Sequence, residues 1–257
     1  MKNQNQAYFA SLARIFTIVL LTCNVKWLYN NPSSQWDFLS HWPRTTSWFG
    51  FFFKMSRTIV FIDGFNLYHA IADNPLFRKF KWLNLFKFAK CFVSPHDNLI
   101  GVNYFTAYAT WDSEKVKKHK IYVRALKSQG VDVILGAFRY VDKNCGKCKK
   151  TYKTFEEKRT DVNIAIKLFE TAINDLWDTA LIVSGDSDLI PAIEAVKRSF
   201  PSKEIGIVIP IGRKAEELKQ VADFHKKVKL KHLETCQFDD EIDIGEGVKL
   251  KRPDSWK

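Results

Sequence analysis

Between residues 57 and 236 one alternation repeats: a short apolar run, then a longer stretch with helical spacing. "TIVFI" (58–62), "LIGVNYFTAYAT" (99–110), "VDVILGAFRYV" (131–141), "TALIVSG" (179–185) and "EIGIVIP" (204–210) read as strands. "WLNLFKFAKCFV" (82–93), "SEKVKKHKIYVRALKSQG" (113–130), "TDVNIAIKLFETAIND" (160–175), "DLIPAIEAVKRSF" (188–200) and "KAEELKQVADF" (214–224) read as helices. An all-apolar strand has no solvent face, so both of its sides must be covered. Such strands alternating with amphipathic helices specify an α/β domain: a mostly parallel sheet with helices on both faces. Within the 160–175 helix, Val162, Ala165, Ile166, Phe169 and Ile173 are expected to form the core-facing stripe. Gly130 is expected to end the 113–130 helix.

The 257 residues divide into three parts. Residues 1–54 contain a single acid, Asp37, and four tryptophans (Trp27, Trp36, Trp42 and Trp48). The run "LARIFTIVLLTCNV" is too short and mixed for a span of about 20 apolar residues. It suits a signal-peptide core within residues 1–30, although no small-x-small cleavage site follows it cleanly. "MSRTIVFIDGFN" reads equally as an ordinary start at Met55, which would leave residues 1–54 outside the native coding sequence. Residues 55–236 form the expected domain, and residues 237–257, polar and charged, a loose tail. The formal charge of +12 and the pI near 9.4 favour a polyanionic partner, nucleic acid ahead of an anionic membrane surface. Five scattered cysteines (Cys23, Cys91, Cys145, Cys148 and Cys236) make a poor disulfide framework and point to a reducing, cytoplasmic compartment. No stable membrane association is expected, and a homo-oligomer stays open.

In an open α/β sheet, ligands bind beyond the carboxyl ends of the strands. Asp63 directly follows "TIVFI", "SGDSDLIP" places Asp186 and Asp188 just after "TALIV", and Asp161 opens a helix. Each acid alone has a structural explanation: a first-turn acid favoured by the helix dipole, or an N-cap. Four carboxylates meeting at one crevice would repel one another, and without a cation some would be forced to protonate. A hard divalent cation, Mg²⁺ or Mn²⁺, resolves that conflict with oxygen ligands. It also orients and activates water for attack on a phosphodiester.

"FIDGFNLY", "EEKRTDVNIAIKL", "ALIVSGDSDLIPAIEAVKR" and "LKQVADF", taken in order over about residues 57–238, resemble the NYN-domain family, in its LabA-like branch of the PIN-like nucleases. The resemblance implies a Rossmann-like (PIN-like) sheet and a metal-dependent nuclease, most often acting on RNA. It implies metal-binding acids at Asp63, Asp161, Asp186 and Asp188. Its motif asparagine falls on Asn66, suited to hydrogen-bond a phosphate or a water at the metal. Ser184 and Thr160 fall on the small hydroxyl positions beside the acids, where they are expected to meet nucleic acid. The first 54 residues are not needed by the family pattern.

"DKNCGKCKKTYKTFEEKRT" (142–160) reads as a basic loop leading into Asp161. Lys149, Lys150, Lys153, Lys158 and Arg159, interleaved with Tyr152 and Phe155, suit a single strand: charge follows the backbone and rings stack on bases. Cys145 and Cys148 form one C-x₂-C. A closed zinc site needs four ligands, so Cys91, Cys236, His96 or a partner chain would have to complete it; otherwise the pair is two reduced thiols stiffening the loop.

The expected activity is therefore a Mg²⁺- or Mn²⁺-dependent endoribonuclease acting on single-stranded RNA. A non-catalytic RNA-binding or regulatory module is the alternative, although a pure binder of a polyanion gains nothing from clustered acids. A haloacid-dehalogenase-type phosphatase fits less well, because its first strand needs D-x-D and Phe65 stands where the second acid belongs. "DGFNLY" lacks the glycine-rich dinucleotide fingerprint.

Overall fold

A computed structural model describes residues 55–256, so the expectations for a signal, an anchor or an extension within residues 1–54 lie outside the described residues. Among the described residues no helix is long and apolar enough to cross a membrane.

Six parallel strands form the central sheet in the order β3-β2-β1-β6-β7-β8. They are β1 (Arg57–Asp63), β2 (Asn98–Thr106), β3 (Val131–Leu135), β6 (Thr179–Val183), β7 (Glu204–Ile209) and β8 (Phe224–Lys227). In β1, Ile59 and Phe61 join one core and Val60 and Ile62 the other, which is why the run is apolar at every position. Helices α1 (Gly64–Ala72), α2 (Leu85–Lys90), α3 (Ser113–Ser128) and α7 (Leu230–Thr235) cover the Val60 face. Helices α4 (Thr160–Ile173), α5 (Ile190–Ser199) and α6 (Glu216–Val221) cover the Phe61 face. The fold is α/β as expected, with a parallel sheet sandwiched by helices. At the amino ends of the strands, the Lys203 ammonium donates to Asp175 (2.7 Å) and to the Trp177 carbonyl (2.6 Å), while Arg57 binds Asp175 and Asp178.

Three expectations need correction. The 131–141 strand and the basic loop are instead β3 and a separate antiparallel ribbon, β4 (Ala137–Asn144) and β5 (Thr151–Lys158). The break falls at Gly136, where a Cβ would meet Thr160 Oγ1 at 2.7 Å; only glycine lets the chain leave the sheet so close to the start of α4. The expected core stripe of α4 is not the buried one. Ile164, Leu168 and Ala172 are buried, while Val162 and Ile166 are 59% and 60% exposed. The buried stripe is the one in register with Asp161, at three, seven and eleven residues from it, so burial of this stripe carries the acid towards the sheet.

The carboxyl-terminal residues are not a loose tail. β9 (Glu241–Asp243) pairs with β10 (Lys249–Lys251). Phe238 and Leu250 are buried, and Trp256 packs on Trp82 and Tyr122. The Trp82 indole also donates to the Asp239 carbonyl at 2.8 Å. A few apolar anchors, scattered among charges, are enough to fasten the segment.

Candidate active site

The strand order reverses between β1 and β6, and that is where the crevice opens. Asp63 ends β1, caps α1 and is 3% exposed. Its Oδ1 accepts the Asn66 backbone N–H at 2.9 Å and its Oδ2 accepts the Ser184 hydroxyl at 2.8 Å. Gly64, which follows, sits so close to β2 that a Cβ would lie 2.4 Å from the Phe105 carbonyl. Past β6, the Ser184 Oγ accepts the Asp186 N–H (3.1 Å), and the Asp186 carboxylate accepts the Asp188 N–H (3.1 Å). The Asn66 side-chain oxygen accepts the Gly185 N–H at 3.1 Å, tying α1 to the β6 loop. Asp161 enters from the first turn of α4. Asp63, Asp161 and Asp186 each offer a carboxylate oxygen, all within 4.8 Å of one another. Asp188 lies outside this triad and is exposed, although its charge still acts on Asp161.

Desolvation first, and crowding of like charge after it, raise the acids of the site. Asp161 reaches solvent, yet partial desolvation, then the Asp63, Asp186 and Asp188 charges, push it up to about 6. Burial raises Asp63 as well, against the Asn66 and Ser184 hydrogen bonds, with Asp186 adding to the rise. Glu157, at the end of β5, is pushed to about 7 by burial and by Asp63 and Asp161, and it accepts the Thr160 hydroxyl. Three carboxyl groups thus resist ionising together, the condition a bound cation relieves.

The ribbon stands beside this crevice. Its register pairs Phe138 with Glu157, Tyr140 with Phe155 and Asp142 with Lys153, so these side chains share one face. Trp111 stacks on Phe155 (3.6 Å, 13°) and meets Phe138 edge-on, and Phe138 meets Phe65 of α1 (6.1 Å). Tyr140 continues the row, 4.1 Å from Phe155 and 66% exposed. A line of rings therefore runs from beside Asp63 outward along the ribbon. The reverse face carries Lys143 and Lys158, both paired with Glu156 (2.7 and 2.8 Å), which hold that carboxyl down to about 2.

The structure brings Asp63, Asn66, Asp161 and Asp186 together and leaves Asp188 at the edge. Ser184 and Thr160, expected to touch nucleic acid, are buried with their hydroxyls committed to Asp63 and Glu157; they position carboxylates instead. Lys153 lies on the aromatic face, Lys158 on the reverse one, and Lys149 and Lys150 at the ribbon tip. Arg159 holds a left-handed backbone (φ 80°) at the turn from β5 into α4, an uncommon state for a side-chain-bearing residue. Cys145 and Cys148 lie at the ribbon tip.

Glu157, Phe65, Trp111 and Arg213 were missed in the sequence. Arg213 follows β7, and its Cβ lies 3.4 Å from where a Gly185 Cβ would stand, beside the crevice. The rule of looking beyond each strand's carboxyl end would have found it. Glu157 becomes visible only once the ribbon register is known.

A family model described as the NYN domain matches residues 57–229. The enzyme 6-hydroxy-3-succinoylpyridine 3-monooxygenase HspA of Pseudomonas putida is 25% identical over 191 residues, covering 60% of this chain and 59% of that protein. The chain thus spans less than two thirds of that relative. The crystal structure of a protein of unknown function from Vibrio parahaemolyticus matches with a TM-score of 0.45 and 18% identity, over 68% of this chain and 94% of that one. The family match runs from β1 through β8, well over half of the chain, and takes in all four acids. The chain belongs to the NYN-domain family and carries that family's nuclease-like fold, with an acidic cluster at the carboxyl ends of its strands.

Proposed function

We propose that this protein is a divalent-metal-dependent nuclease that hydrolyses phosphodiester bonds of single-stranded nucleic acid, RNA in preference to DNA. The observation that carries the reading is the meeting of Asp63, Asp161 and Asp186, from three separate elements, within 4.8 Å. The donor set is all carboxylate oxygen, which suits Mg²⁺ or Mn²⁺, and the raised Asp161 supports a site built for a cation. Held there, the ion would polarise the phosphoryl group and make a water more acidic.

The chain's own groups supply the rest. Ser184 and the Asn66 N–H fix both oxygens of Asp63. The Asn66 side-chain oxygen is occupied by Gly185, which leaves its NH₂ to meet a phosphate oxygen. Glu157, with a carboxyl near 7, is suited to take a proton from the attacking water close to neutral pH. Phe65 and Tyr140, at the two ends of the aromatic row, present rings on which unpaired bases stack. Lys153 and Arg159 contact the backbone.

The test is cleavage of end-labelled single-stranded RNA and DNA with Mg²⁺, Mn²⁺ or chelator. Metal-dependent products, absent with Asp63→Asn, are expected. Tight RNA binding with no products in any metal would favour a non-catalytic binder. A second reading comes from the Pseudomonas putida relative, whose name denotes oxygenation of a pyridine. A row of rings leading to clustered acids fits a polymeric anion better than a small pyridine. Oxygen consumption with a hydroxylated pyridine, and no cleavage of RNA, would reverse that preference.

A further inference from the structure

Cys91 and Cys236 stand 145 residues apart in the chain, yet their sulfurs meet at 3.4 Å. Spacing along the sequence hid this pair. Cys91 follows the last turn of α2, and Cys236 follows the last turn of α7. The backbone fixes both. The N–H of Asn84, which caps α2, donates to the Cys236 carbonyl (2.7 Å), and the Phe238 N–H donates to the Trp82 carbonyl (3.0 Å). Leu83 and Gln237 pair between those two bonds. From Asn84, α2 carries the chain to Cys91, whose N–H donates to the Phe88 carbonyl (3.1 Å). One short stretch of chain, 82–91, therefore holds both sulfurs in place.

The two thiols differ in access. Cys91 is exposed, and its S–H donates to the Lys87 carbonyl (3.5 Å). Cys236 is 3% exposed, and burial pushes its thiol up to about 11. A small-molecule oxidant therefore reaches Cys91 first and finds Cys236 behind it as a protonated thiol. That is the order of an attacking and a resolving cysteine. Among the described residues the pair joins no group of three ligands placed to hold an ion, so thiol chemistry is what is left to it. Taking the sulfurs from 3.4 Å to the roughly 2.0 Å of a disulfide is a small movement shared by two side chains.

We infer that Cys91 and Cys236 are a reversible modification site for small-molecule disulfides, closed by thiol–disulfide exchange into a bond that fastens the carboxyl-terminal segment. Cys91, losing its proton to solvent, attacks one sulfur of the small disulfide, and the small thiolate released takes up that proton. Cys236 then attacks the Cys91 sulfur, and the second small thiol leaves with the Cys236 proton. Two protein thiols are oxidised, and one small disulfide is reduced to two thiols. The bond would join residues 145 apart and so constrain the unfolded chain. It would stand directly ahead of Phe238, Leu250 and Trp256, which anchor the segment. The inference does not depend on the nuclease reading.

The full chain, reduced and then freed of reductant, is incubated with oxidised glutathione and read by mass spectrometry of its unreduced peptides. A linked Cys91–Cys236 peptide is expected, with the melting temperature raised by roughly 5–15 °C and returned by dithiothreitol. Cys236→Ala should stop at a glutathione adduct on Cys91. Cys91→Ser should leave Cys236 unmodified, and it removes only an exposed sulfur, so it tests the order of attack even where Cys236→Ala does not fold. Glutathione on Cys236 in Cys91→Ser, Cys91 linked to any other cysteine, or a wild-type adduct on Cys91 that never passes to Cys236 would each overturn the proposal. So would no reaction at all, or a bond that leaves the melting temperature unchanged.

Discussion

The six-stranded sheet and the β4–β5 ribbon are built on opposite terms. β1 and β6 are buried along nearly their whole length, between two layers of helices. The ribbon has no buried position in either strand. It is held by its own ladder, by rings stacked on Trp111 and by exposed ion pairs. The sheet spends its side chains on the core and can offer function only where its strands end, at Asp63 and Ser184–Asp186. The ribbon has almost no core to serve, so Tyr140 and Lys153 stay exposed on its aromatic face. On the proposed function, one region would hold the reacting groups still, and the other would gather what they act on.

The largest difference should appear in stability. Phe61→Ala removes a wholly buried ring beside Phe105 and should cost about 3–5 kcal/mol by denaturant unfolding. Tyr140→Ala should stay within about 0.5 kcal/mol of wild type, as an exposed position does. A ribbon substitution that unfolded the domain would break the comparison.

The same Tyr140→Ala should weaken single-stranded RNA binding by about 1–3 kcal/mol, roughly 5- to 150-fold in Kd by filter binding. Phe61→Ala, where still folded, should bind as wild type. Lys153→Ala should weaken binding evenly across sequences and flatten the salt dependence by about one unit of slope.

A smaller effect tests the crowded acids. Glu157 has a folded value of about 7, above its ordinary 4.5. The folded state therefore holds the extra proton between those values, and the stability from that group falls as pH rises through about 4.5 to 7. Glu157→Gln, measured without metal, should match wild type at pH 5 and melt a few degrees higher at pH 8. A variant less stable than wild type at pH 8 would mean that the carboxylate is stabilised there. His119, whose burial lowers it to about 4, shifts both proteins alike and cancels in the difference.

How much of this was legible follows from the same contrast. The sheet could be read because burial on both faces leaves an unbroken apolar run, and the strand-end rule then gave Asp63 and Asp186. The ribbon could not: each of its strands mixes charge and rings, and only the pairing of Tyr140 with Phe155 shows that the rings form one row. The wrong stripe of α4 was favoured because Val162, Ile166 and Ile173 are as apolar as the buried set. What decides between them is Asp161, which shares a stripe with Ile164 and Leu168. Trp256 and Leu250 escaped notice because each stands alone among charged neighbours.

The division of labour itself is tested most directly by steady-state cleavage of one single-stranded RNA in Mn²⁺, comparing Asp186→Asn with Tyr140→Ala. The account predicts a kcat lowered on the order of 10²–10⁴-fold with KM little changed for Asp186→Asn. For Tyr140→Ala it predicts a raised KM with kcat kept. Cleavage that survives Asp186→Asn at the wild-type kcat would contradict the assignment of the chemistry to the acidic crevice.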